Sequence, residues 1–257
     1  MNLVDNLKNK YLLSKSLNFF KLLYFFNQKI RSIKKVNKSY SSNAVDLIIG
    51  ELFKNKKSGI YIDVGCNHPF IGNNTFKLFK KGWSGINIDL DYTFIDSFNF
   101  YRPKDYNIQI GVSDKIGEQE MYYHHERSAI NTLDIKRSSK SVLKKNIKTS
   151  TLNNIIENSK FKNQMIDYVS IDVEGFELNV LKGFDLNKYK PKALSIEFID
   201  PEMVKEEFYH QNINNILDSE LYKFMTSNGY HFVNLLHSDL IFVSEEIFID
   251  KFKTKNV

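Results

Sequence analysis

With 257 residues, 42% of them hydrophobic and 14% aromatic, the chain can bury a sizeable core as one large domain or a domain with an appendage. Its formal charge of +6 comes from lysines scattered along the sequence, the pattern of solvated faces and not of a nucleic-acid-binding stripe. The single cysteine, Cys66, excludes an intrachain disulfide and a cysteine-built zinc site; with no secretory signal visible, the expected compartment is the reducing cytoplasm.

Residues 1–40 differ from the rest. An apolar stretch from Leu12 to Phe26 is interrupted by Lys15 and Lys21 and followed by Lys29, Arg31, Lys34, Lys35 and Lys38. No run approaches the roughly 18 uncharged residues that crossing a bilayer requires. The pattern predicts a basic amphipathic helical extension, suited to an anionic membrane surface, to a partner protein, or to packing on the main domain.

From Ser41 the elements come in order. Ser41–Asn43 caps a helix running to about Phe53. Ile60, Tyr61, Ile62 and Val64 read as a strand buried on both faces, and Gly65 lets the chain turn. Asn73, Asn74 and Thr75 are N-cap choices for a helix to Lys81, ended by Gly82. Trp83–Leu90 is the next strand, closing on Asp89. A helix over Tyr92–Phe100, a turn at Arg102–Asp105, a strand over Asn107–Val112 and a hairpin arm over Ile116–Tyr123 follow. His124–Lys148 reads as polar loop with a short helix at Ser138–Lys145. Then come a helix over Thr151–Ser159, a strand over Met165–Asp172, a turn at Glu174-Gly175 and a helix over Phe176–Lys182. A strand over Ala193–Phe198, helices over Met203–Phe208 and Ile213–Ser227, and a hairpin of Tyr230–Leu236 with Leu240–Val243 complete the chain, and the tail from Lys251 frays. Strand–helix alternation with a closing hairpin predicts an α/β, doubly wound, mostly parallel sheet with an antiparallel C-terminal hairpin strand. The simplest partition is an extension, 1–40, and one Rossmann-like domain, 41–257.

Ligands of such sheets bind at the C-terminal strand ends. Asp63, Asp89, Asp114, Asp172 and Glu197 all fall at or next to those ends. A dinucleotide site needs G-x-G-x-x-G so that backbone amides can take the pyrophosphate. Here Gly65 stands alone, flanked by Asp63 and bulky His68, Pro69 and Phe70. That loop suits a ligand with an ammonium group and no phosphate, such as S-adenosylmethionine. Asp89, 26 positions after Asp63, suits the two ribose hydroxyls.

Five blocks in order resemble the FkbM-type S-adenosylmethionine-dependent methyltransferases. They are IDVGCNHPFIGNNTFKLFKKGWSGINID (Ile62–Asp89), RPKDYNIQIGVSD (Arg102–Asp114), AINTLD (Ala129–Asp134), the segment from STLNNIIE to IDVEGFELNVLKGFD (Ser150–Asp185), and PKALSIE (Pro191–Glu197). The resemblance covers about Gly59–Phe198, with Asn73 where many members carry serine; residues 1–40 and those after Asp200 match no motif. It implies a class I methyltransferase sheet of seven strands, the last antiparallel. It also implies roles: Gly65 beside the methionyl part of the cofactor, Asp63 on its ammonium directly or through water, Asp89 on the ribose, Ser113 and Asp114 near the adenine, and Asp172 with Glu174 over the methyl donor; Asn67 is a further expected cofactor contact.

Methyl transfer from a sulfonium mainly needs positioning, but a sugar hydroxyl is a weak nucleophile and a base helps. Glu174, Asp172 and His68 are the first candidates, with His124 and His125 behind them. Glu174 also reads as a helix N-terminal acid favoured by the dipole. Asp172 and Glu174 could instead hold a divalent metal that orients two acceptor hydroxyls; no metal set is assigned. Cys66 reads as a small buried residue. The expected acceptor is a hydroxyl on a saccharide, glycolipid or related metabolite, with no nucleic acid and with peripheral membrane contact through residues 1–40. Two other readings compete: a nicotinamide-dependent oxidoreductase, disfavoured by the missing glycines, and a non-enzymatic basic adaptor for membrane or nucleic acid.

Overall fold

The computed structural model describes residues 38–123, 143–199 and 212–253, together with Leu23, Phe26 and Asn27. The chain divides into two units, Met1–Lys38 and Ser39–Val257. In the first, Leu23, Phe26 and Asn27 are helical and the side chains of Leu23 and Phe26 are exposed. The rest of the expected N-terminal amphipathic helix lies outside the described residues, as do the expected helix Met203–Phe208, the block Ala129–Asp134, and His124 and His125. Among the described residues no helix is long and apolar enough to cross a membrane.

The second unit begins with α1 (Val45–Leu52), whose first amide is held by the Ser41 hydroxyl at 3.2 Å. It continues through β1 (Ile60–Val64), α2 (Phe76–Lys80), β2 (Ser84–Asp89) and α3 (Tyr92–Tyr101), the last capped by Asp91 on the Thr93 amide at 2.7 Å. Next come β3 (Tyr106–Gln109), β4 (Gly111–Val112), β5 (Gly117–Tyr123), β6 (Leu143–Ser150), α4 (Leu152–Glu157), β7 (Tyr168–Ile171) and α5 (Glu177–Lys182). The remainder is α6 (Leu186–Tyr189), β8 (Ala193–Glu197), α7 (Ile213–Asp218), α8 (Glu220–Ser227), β9 (Tyr230–Leu236), β10 (Asp239–Ser244) and α9 (Glu245–Lys251).

Seven strands form the main sheet in the order β3-β2-β1-β7-β8-β10-β9. The first five run parallel, and β10 is antiparallel to both β8 and β9. The strand order reverses between β1 and β7, which places the ligand crevice of an open sheet at their C-terminal ends. A small second sheet, β4-β6-β5, follows β3.

Successive strand residues face opposite sides, so each strand contributes to two cores. Ile62, Val64, Ile88, Val169, Ile171, Leu194 and Ile196 pack with α4, α5, α6 and α8. Tyr61, Tyr168, Ala193, Ile241 and Val243 pack with α1, α2 and α9. The register adds a further feature on this second face. Asn107, Asn87, Asp63, Ser170 and Ser195 stand side by side across five strands, a polar row inside the protein.

Three expectations change. The expected strand Asn107–Val112 divides after Gln109, β3 joining the main sheet and β4 the small one. The expected loop ending at Lys148, with its helix at Ser138–Lys145, is β-structure from Leu143 onward, because that segment lies between β4 and β5 and pairs with both. The expected helix Ile213–Ser227 is two helices: Ser219 adopts an extended backbone (ψ 150°), and its hydroxyl accepts the Tyr222 amide at 3.1 Å to start α8.

Candidate active site

The β1 turn and the exit of β7 meet at the reversal point. Gly65 has φ +77°, and a Cβ there would lie 1.7 Å from the carbonyl oxygen of Asp172. Only glycine allows both the turn and that contact. Gly65 and Cys66 donate their amides to the carbonyl of Ile88, at 2.9 and 3.1 Å, which ties the turn to β2.

Asp89, at the end of β2, accepts the Asn67 amide on Oδ2 and the Asp91 amide on Oδ1, both at 2.8 Å. Asn67 reaches it from a left-handed backbone, φ 48°. Burial pushes the Asp89 carboxyl up to about 6, against the pull of those amides. Each oxygen keeps a second lone pair, the acceptor capacity that a vicinal diol requires. Gly65, Asn67 and Asp89 are thus brought together.

Asp63 is 3% exposed. Its Oδ2 accepts the Thr75 hydroxyl at 2.8 Å and the Asn73 side-chain amide at 3.0 Å. Burial raises its pKa, opposed by these two donors. The expected capping residues have therefore turned inward: Asn73 and Thr75 serve Asp63, and Asn74 donates to Ser170 at 3.0 Å, so α2 starts with no side-chain cap.

His68 accepts the amides of Phe70 and Ile71 on Nδ1, at 3.1 and 3.2 Å. In the neutral ring Nε2 then carries the proton, so His68 offers a donor and not a basic nitrogen.

Ser113 and Asp114 continue from the Asp89 corner, where the Ile110 amide donates to the Asp89 carbonyl at 3.1 Å. Ser113 is fully buried; its hydroxyl donates to Asp114 at 2.9 Å and accepts from Gln119 at 2.8 Å. Asp114 is exposed.

Asp172 and Glu174 follow β7, and Glu197 ends β8. One carboxylate oxygen from each lies within 4.8 Å of the others, a set able to hold a divalent cation. Asp172 is open to solvent although protein atoms crowd its carboxyl. That crowding, then the neighbouring Glu174 and Asp239 charges, drive its pKa well above the usual carboxylate range, and it hydrogen-bonds Glu197. A carboxyl so raised keeps its proton to higher pH than a free carboxylate does.

Glu177 was not legible as a site residue. Its Oε1 accepts the amides of Val173 and Gly175, at 3.1 and 2.9 Å, bracketing Glu174, which sits in the left-handed region at φ 57°. Such a backbone persists where surrounding contacts hold it. Glu177 is 6% exposed, and burial pushes it up to about 7. The only sequence signal was its place in Asp172-Val173-Glu174-Gly175-Phe176-Glu177.

A sheet with one antiparallel strand inserted next to its edge, a lone glycine turn after β1, and acids closing β2, β7 and β8 together define a class I methyltransferase domain. The Methyltransferase FkbM domain model matches residues 63–232, and the chain belongs to that family. No curated protein sequence matches the chain. Among solved structures, it is similar to a TehB-like SAM-dependent methyltransferase from Corynebacterium glutamicum, with 11% identity, a TM-score of 0.39, and 86% of this chain and 96% of that one covered. It is also similar to the 16S rRNA methylase ArmA, with 13% identity, a TM-score of 0.38, and 88% and 97% covered. At these values neither likeness bears on this chain's chemistry.

Proposed function

We propose that the chain is an S-adenosylmethionine-dependent O-methyltransferase acting on a hydroxyl of a saccharide, glycolipid or related metabolite. The observation that carries this reading is the convergence of Asp172, Glu174 and Glu197 within 4.8 Å, next to the Gly65 turn. The residues at the β1–β2 corner fit the cofactor. Asp89 has the acceptor capacity for the ribose diol, Gly65 and Asn67 would line the methionyl part, and Asp63 would place negative charge beneath the ammonium. Ser113 and Asp114 would close the adenine end. Bound there, S-adenosylmethionine supplies a methyl group already activated on a sulfonium.

The chain's own residues then supply proton handling. Asp172, with its raised pKa and its hydrogen bond to Glu197, is suited to take a proton from an acceptor hydroxyl near neutral pH. Glu174, held over the same spot by the Glu177-bound loop, orients the hydroxyl or shares the role. His68 offers Nε2–H as a donor.

Isothermal titration with S-adenosylmethionine tests the cofactor, and transfer of a labelled methyl group into an extract of cellular glycans and lipids tests the acceptor. Asp172→Asn and Glu174→Gln should keep cofactor affinity within about twofold, and at least one should lower turnover about 100-fold. Absence of binding to the wild type would sink the reading; full turnover in both variants would place the base elsewhere. The same three carboxylates also suit a divalent cation that orients two acceptor oxygens. Turnover that falls with EDTA and returns with Mg2+ would select that version.

A further inference from the structure

Arg102 follows α3 in a stretch that reads as an exposed turn, yet its side chain is fully buried. Its guanidinium lies over three rings, 5.3 Å from the centroid of Phe76, 5.0 Å from Phe79 and 4.8 Å from Phe98. Nη2 donates to the Pro69 carbonyl and, at 2.8 Å, to Asn73 Oδ1. Nη1 donates to Thr75 Oγ1 at 2.9 Å. Asn73 and Thr75 in turn donate to Asp63, at 3.0 and 2.8 Å, so two relays run in parallel from the guanidinium to that carboxylate. Asn73 Nδ2 also donates to the Cys66 carbonyl at 3.1 Å, at the start of the same loop.

The loop from Cys66 to Thr75 contains no helix or strand, so its backbone groups have no ladder to fix their direction. Pro69, Asn73 and Thr75, spread along it, converge on Arg102. The same loop presents the Asn67 amide to Asp89 and carries His68.

We propose that Arg102 is a positioning residue of the cofactor site: its buried guanidinium, through Pro69, Asn73 and Thr75, sets the loop that presents Asn67 and His68 and holds Asp63 in place. This rests on the reading of that loop as the S-adenosylmethionine site. The planar fork is essential to the role, because one group must meet these three loop acceptors and, at 3.5 Å, the Tyr61 hydroxyl while stacked between rings. A lysine ammonium, a point charge on a flexible stem, cannot do so.

The experiment uses the full chain, with S-adenosylmethionine and S-adenosylhomocysteine as probes in isothermal titration. Hydrogen exchange is followed at the amides of Asn67, Phe70 and Ile71. Arg102→Lys should bind both probes about 10- to 100-fold more weakly. It should exchange faster at those amides while the β7 and β8 amides stay protected. KM for S-adenosylmethionine should rise more than kcat falls. If Arg102→Lys does not fold, Thr75→Val, which deletes one relay at nearly constant volume, should show the same pattern at about three- to tenfold. A folded variant with wild-type affinity and wild-type loop exchange overturns this assignment and leaves the cofactor reading standing. A wild type that binds neither probe overturns both.

Discussion

Ile108, Ile88, Val64, Ile171 and Ile196 stand side by side across five strands; one residue earlier along each strand, on the opposite face, stand Asn107, Asn87, Asp63, Ser170 and Ser195. The apolar row packs under α4, α5, α6 and α8 and makes no directed contact. Every member of the polar row from Asn87 to Ser195 has a named partner. Asn87 donates to Asp105 at 3.0 Å, Asp63 accepts from Asn73 and Thr75, Ser170 accepts from Asn74, and Ser195 meets Tyr168 at 2.6 Å. Hydrocarbon burial is non-directional and scales with area, whereas a buried polar group is costly unless its partner arrives in the right place. The apolar row therefore holds the sheet to its helices, and the polar row fixes where the β1 loop docks. Asn73, Asn74 and Thr75, consecutive in sequence, are caught by Asp63 and Ser170 on adjacent strands.

If that division holds, damage to the apolar row should change stability and leave the site alone. Ile171→Ala removes a fully buried side chain next to the β1 strand and should cost about 2–5 kcal/mol, read from urea unfolding. Ile171→Val should cost about 0.5–1.5 kcal/mol. The cost should be the same at pH 5 and pH 8, and the folded variant should bind S-adenosylmethionine as the wild type does. A loss of affinity in step with stability would break the separation between the rows.

The apolar row was legible in the sequence and the polar row was not, for a physical reason. Runs such as Ile60–Val64 and Ala193–Glu197 carry their own signal, and their acids at strand ends were visible as a rim. Which polar residues face one another depends on the register between strands up to about a hundred residues apart, which no local pattern encodes. Arg102 was missed because an arginine beside Pro103 and Lys104 looks like a surface turn; only the three rings and four acceptors around it reveal its burial. Leu143–Ser150, with its lysines, lacks the profile of a strand and becomes one because β4 and β5 both pair with it. Ser219 divides the helix although the apolar periodicity continues across it. Gly65, Asn67 and Asp89 were readable as one corner because they belong to a single βαβ unit, whose two strands pair directly.

The comparison is sharpened by Glu177, a buried acid that holds the β7 loop as the polar row holds the β1 loop. Burial moves its carboxyl from 4.5 to about 7, so the folded state binds the proton more tightly than the unfolded chain does. Its contribution to stability is then fully present below about pH 4.5 and is lost as pH rises through about 7. Glu177→Gln keeps an oxygen for the Val173 and Gly175 amides and does not titrate. It should match the wild type near pH 5 and become the more stable of the two by at most about 3 kcal/mol at pH 8. Urea midpoints at pH 5, 6.5 and 8 give the curve. A flat difference across that range would mean that the acid carries no burial penalty and that the loop is not held at the expense of stability.

The smallest effect belongs to the β8 end of the polar row. Tyr168 meets Ser195 at 2.6 Å, and Ser195 donates to Ser170 at 3.3 Å, all three buried. Ser195→Ala should cost about 1–2 kcal/mol, because it leaves the buried Tyr168 hydroxyl without that partner. Tyr168→Phe should cost about 1 kcal/mol for the same reason in reverse. The double variant replaces both groups by apolar ones of similar shape and should lie within about 1 kcal/mol of the wild type, well below the sum of the singles. Ser170 keeps its bond from Asn74 throughout, so affinity for S-adenosylmethionine should not change. Additive costs would show that the hydroxyls act independently. A fall in affinity would show that the order of the β1 loop depends on the whole row, and that its reach extends past Ser170 to the third strand from the turn.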